Sequence, residues 1–137
     1  MSVTACVVDS YKEDVLNGAQ SSSDTYKLAL YTAAAATLNA STTAYTATGE
    51  ITGTGYTAGG ATLSGFTVGL SSNTAYLTFS NPTWTSATIT ADTALIYNSS
   101  KSNKAVAVLS FTSAGVTNGT FTVDLPTAGA LSTIQIS

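Results

Sequence analysis

From residue 61 onward apolar and polar positions alternate with a period of two, the spacing of side chains on the two faces of a β-strand. Run 61–70 carries Leu63, Phe66 and Val68 and ends at Ser71-Ser72-Asn73. Run 74–79 sets Ala75, Leu77 and Phe79 against Thr74, Tyr76 and Thr78, and Asn81-Pro82 breaks it. Run 84–91 sets Thr85, Ala87, Ile89 and Ala91 against Trp84, Ser86, Thr88 and Thr90. Runs 94–97 and 104–111 flank a turn of sequence NSSKSN, and runs 120–125 and 132–136 follow. Upstream, run 25–32 turns Tyr26, Leu28 and Leu30 one way and Lys27, Ala29 and Tyr31 the other. About eight strands separated by roughly ten residues predict an all-β fold, an antiparallel β-sandwich or a jelly-roll-like barrel.

Three segments depart from that pattern. Residues 9–18 predict one short N-terminal helix, with Asp9 or Ser10 as the cap and Asn17-Gly18 as the stop. Glu13 and Asp14 fall in its first turns, where the helix dipole favours acids, and read as a solvated helix start rather than a cation site. Residues 33–60 are long and weakly patterned, which predicts a functional or contact-making loop, or one ordered by its neighbours. Residues 1–8 bring apolar Val3, Val7 and Val8 ahead of the helix. They predict either a strap that adds a strand to a partner's sheet or the first strand of the domain's own sheet. No composition shift divides the chain, so 1–137 reads as one domain.

Charge sharpens this picture. Only 8% of residues are charged, and the chain holds four lysines with no arginine or histidine, for a net charge of -3. A phosphate backbone needs a basic face, so nucleic acid is not an expected partner. No run approaches the ~20 apolar residues of a membrane-spanning helix, and no membrane partner is expected. The start of the chain lacks the basic and apolar regions of a secretory signal. Scarce charge also weakens the repulsion that keeps monomers apart, which points to work inside an assembly.

Candidate chemistry is thin. Without histidine, neither a Ser-His-Asp nor a Cys-His site can form within the chain. Cys6 is single, which excludes an intrachain disulfide and a cysteine zinc site. Glu50, Asp92 and Asp124 lie near segment ends, where acids mark turns. Gly53, Gly55, Gly59 and Gly60 lack the Lys-Ser/Thr pair and following helix of a phosphate loop and read as tightly turning backbone. No catalytic residue, cofactor or metal is expected. Trp84 reads as core, while Tyr45 and Tyr56, inside the irregular segment, read as interface or sugar-stacking side chains.

The strings SYKEDVLNG, DTYKLALYT, TAYTATGEITGTGYTAGG, PTWTSATITADTALIYNSSKSNKAVAVLSF and GTFTVDLPTAGA resemble small Thr/Gly-rich virion structural proteins of tailed bacteriophages, over about residues 10–130. The resemblance implies a virion location on the capsid exterior after synthesis in the bacterial host cytoplasm. It implies a capsid decoration (cement) role as a homotrimer that binds the major capsid protein. A receptor- or glycan-binding module of a tail or head fibre is the alternative. For the decoration role the expected capsid contacts are Val3, Val7, Val8, Tyr45 and Tyr56.

Overall fold

The computed structural model describes residues 3–125 and 134–136. Its architecture is two antiparallel sheets and one short helix, an all-β sandwich-like fold. The larger sheet has the order β1-β7-β6-β2-β3, with β1 Val3–Val7, β2 Tyr26–Tyr31, β3 Ala61–Thr62, β6 Thr83–Asn98 and β7 Lys104–Thr122. The smaller has the order β4-β5-β8, with β4 Thr67–Ser71, β5 Thr74–Thr78 and β8 Ile134–Ile136. The start of the predicted last strand, at Ser132 and Thr133, lies outside the described residues.

Among the described residues eight strands are found, but several are cut at other places than the pattern predicts. Run 61–70 is split between the two sheets as β3 and β4, because Gly65 turns the chain at φ +70. Ser80 sits so close there that any Cβ on residue 65 would lie 2.4 Å from its hydroxyl. In the other direction, 84–91 and 94–97 fuse into the 16-residue β6. Its partner β7 is 19 residues long, and together they form one bulged hairpin.

A bulge resolves the position of Trp84. Strict alternation puts it opposite Ala87, Ile89 and Ala91. The β6–β7 register shifts between Trp84 and Ala87, with Ser86 at φ 49. The extra residue reverses the phase, so Trp84, Ala87, Ile89 and Ala91 are all buried. Trp84 is 6% exposed and meets Phe121 edge-on at a centroid distance of 6.1 Å.

The larger sheet is covered on both faces. Tyr26, Leu28 and Leu30 of β2, with Ala94 and Ile96 of β6, face the sandwich interior, where Tyr26 packs on Phe66 and Phe79. The opposite face carries Ala29, Tyr31, Leu95 and Tyr97, which are buried too. Residues 33–60 supply that second cover. They pair with the sheet through isolated bridges Tyr31↔Glu50, Ala44↔Lys104 and Thr54↔Thr88. Gly55 and Gly60 permit the contact: a Cβ would lie 2.8 Å from the Ala87 Cα at residue 55 and 1.8 Å from the Leu28 carbonyl oxygen at residue 60.

The helix, α1 Asp9–Leu16, starts without the predicted side-chain cap. Val8 occupies the cap position, and the Ala40 carbonyl of the loop takes the Asp9 N–H at 2.8 Å. Tertiary contact therefore satisfies the donor that a capping side chain would otherwise serve. The stop matches expectation, with Asn17 as C-cap and Gly18 at φ +66.

Candidate interaction surface

The side chains expected to touch a capsid are drawn into the domain itself. Val3–Val7 pairs antiparallel with β7, so the segment takes the place of the first strand of the domain's own sheet. Val3 and Val7 pack against the core, and Val8 is fully buried; Thr4 and Cys6 point to solvent. Among the described residues the sheet ends at β1, with no strand paired to its outer backbone edge.

Tyr45 and Tyr56 are half-buried and converge on Glu50. The Tyr45 hydroxyl donates to Glu50 Oε2 at 2.5 Å and the Tyr56 hydroxyl to Oε1 at 2.6 Å. The Gly59 N–H donates to the same Oε1 at 2.7 Å. Tyr56 also accepts the N–H of Leu30 at 2.9 Å, which fills a gap in the β2 ladder where the loop bulges away. Tyr45 stacks on Tyr97 with centroids 4.8 Å apart, and the Tyr97 hydroxyl donates to the Gly59 carbonyl at 2.6 Å. Burial, then the hydrogen bond to Glu50, pushes the Tyr45 phenol up to about 12 and raises Tyr56 further. Composition gave no sign of this hub, because Glu50 looks like any other acid near a turn.

A second polar cluster ties α1 to the hairpin end. Asp14, read from sequence as solvated, is buried and pairs with Lys104 at 2.9 Å. Gln20 donates to Asp14 at 2.9 Å. Gln20 in turn accepts from the fully buried Asn98, which also donates to Asp24. Burial opposes ionisation of Asp14, but the Lys104 and Gln20 hydrogen bonds and the Lys104 charge outweigh it and lower its pKa. These groups satisfy one another, so they read as a structural lock. Among the described residues no group of three or more His, Cys, Asp or Glu side chains converges in a way that could hold a metal.

The described residues also frame two concavities of note. One, of about 490 Å³, lies between the loop and the β6–β7 hairpin and includes Thr52, Thr88, Thr90 and Thr117. No aromatic ring lines it, so it lacks a platform for stacking a sugar. The other, of about 430 Å³, lies between α1 and the small sheet, with Val15, Phe66, Val68 and Leu77 on its walls.

Beside this second groove lies the most exposed apolar row on a strand. Val68 and Leu70 of β4 are 66% and 73% exposed, while Leu77 and Ile134 farther into the same sheet are buried. The apolar face of the small sheet thus runs from core to solvent and ends uncovered at β4. No family model, curated protein or solved structure matches the chain. The surface offers an apolar strip, a groove and open strand edges, which suit contact with another protein.

Proposed function

We propose that this chain is a structural protein of a phage particle, a decoration protein that stabilises the head by contacts with major capsid subunits. The observation that carries the reading is the uncovered apolar strip of β4 beside the α1 groove, in a chain whose Tyr45, Tyr56, Glu50 and Asp14 side chains are engaged within the fold. The neutral surface supports it. No Asp, Glu, Lys or Arg occurs between Glu50 and Asp92. A surface of that kind gains little from electrostatic steering and is suited to packing beside other proteins. The resemblance of the sequence to virion proteins supports the location on the particle.

Retention would rest on many weak contacts made together. Each copy touches several capsid subunits, and multivalency converts modest sites into durable attachment. Binding to purified empty capsids tests this. Cosedimentation of the chain with heads, lost when Val68 and Leu70 are replaced by polar residues, is the expected result. Cosedimentation with isolated tail fibres or host envelopes, and none with heads, overturns the decoration role in favour of adsorption.

A further inference from the structure

We propose that β4 is a self-pairing edge and that two copies of this chain join there into one continuous six-stranded sheet, β8-β5-β4-β4-β5-β8. The inference concerns the same strip as the capsid reading but does not rest on it: edge-to-edge pairing joins the β4 backbones, and the Val68 and Leu70 faces form one wider apolar strip. An exposed strand edge normally carries a defence: a lysine, a proline, a bulge or a covering loop. The β4 sequence TVGLS has no charge and no proline, and its register with β5 is unbroken from Thr67↔Thr78 to Ser71↔Thr74. Among the described residues it pairs with β5 alone.

The edge is also complementary to itself. Read in either direction it runs hydroxyl, apolar, glycine, apolar, hydroxyl. A two-fold axis at Gly69, perpendicular to the sheet, sets Val68 of one copy opposite Leu70 of the other and Thr67 opposite Ser71. The hydrogen-bond phase fits. A two-residue turn at Ser72-Asn73 makes Ser71 and Thr74 a hydrogen-bonded pair, so alternation sends the N–H and C=O of Val68 and Leu70 outward. Those are the two residues that the axis pairs. On one face of the joined sheet, two Val68 and two Leu70 side chains then meet across the new ladder.

Charge favours a second copy as the occupant. Two identical chains of net charge -3 with only 8% charged residues repel weakly, and least where the facing strands carry no charge. The stretch from Ile51 to Ala91 holds no charge, so the paired β4 strands and their β5 neighbours bring none to the seam. The other five-residue edge, β1, turns Val3, Ala5 and Val7 inward and shows Thr4 and Cys6 to solvent, so it has no exposed apolar row to cover. A two-fold isologous pairing closes at two copies and gives a dimer, not the trimer that the resemblance implies.

Sedimentation and light scattering on the full chain test the proposal. The expected species is a dimer of two 13.8 kDa chains. Val68→Lys with Leu70→Lys should weaken it at least ~100-fold while the circular dichroism spectrum stays that of the folded chain, since both side chains are exposed. Val68→Glu with Leu70→Lys restores opposite charges across the axis. It should dimerise at least ~10-fold more tightly than the double lysine variant at low salt and lose that margin at high salt. Thr4→Lys on β1 should leave the dimer intact. A monomeric or trimeric wild-type chain, a double lysine variant that still dimerises, equal behaviour of the two charged pairs, or a dimer lost through Thr4→Lys would each overturn the β4 pairing. A monomer that still binds heads would overturn it and leave the decoration role standing.

Discussion

At the scale of single residues, Glu50 holds the second cover of the sheet in place. Its two oxygens receive two phenols and a backbone N–H from three points along residues 45–59. Hydrogen bonds to a charged acceptor are worth more than neutral ones, and a buried donor left without its acceptor costs the full desolvation. Glu50→Ala should therefore destabilise the fold by about 3 kcal/mol in urea denaturation, while Glu50→Gln should cost about 2 kcal/mol. The tyrosines themselves give a pH prediction. Tyr26, Tyr31, Tyr45 and Tyr56 ionise less readily folded than unfolded, burial being the first cause for each. Above pH 10 the unfolded chain releases phenolic protons that the folded chain keeps. Their stabilising contribution is thus whole below pH 10 and falls as pH rises toward the folded pKa values. In an alkaline titration most of the tyrosinate absorbance should rise together with loss of the circular dichroism signal; a full rise near pH 10 with the fold intact would contradict the buried hub.

At the scale of elements, the long hairpin and the loop explain which parts of the fold alternation could reveal. β2 and β5 lie where alternation puts them, because each is regular and lacks an internal bulge. β6 defeats alternation at Ser86, since a bulge leaves no composition signal beyond one more serine in a serine-rich chain. Removal of residue 86 should return Trp84 to the outer face and cost about 3–5 kcal/mol, comparable to the loss of a large core side chain. Ser86→Gly, which relieves the positive φ, should be neutral or stabilise by up to about 1 kcal/mol. The loop 33–60 was legible as ordered but not as inward-facing. Tyr45 and Tyr56 look like interface aromatics by type, and only the placement of Glu50 shows where their hydroxyls go. Gly60→Ala tests the docking of this loop: the new Cβ would strike the Leu28 carbonyl, and the expected loss exceeds ~3 kcal/mol. The candidate surface was the least legible part, because Val68 and Leu70 fit a buried strand as well as an exposed edge.

At the scale of the whole molecule, scarcity of charge and abundance of neutral edge act together. A domain with 8% charged residues and an apolar strip on an open strand lacks the usual defences against association. Such a surface suits a protein whose working state is bound in many copies to a large regular partner. On the proposed decoration role, particles that lack the chain should lose their genome at lower temperature than wild-type particles, with adsorption to the host unchanged. The most direct measurement is the copy number of the chain in purified virions by quantitative mass spectrometry. On the order of hundreds of copies per particle, in a fixed ratio to the major capsid protein, is the result a multivalent decoration layer predicts. A handful of copies, or none, would contradict it.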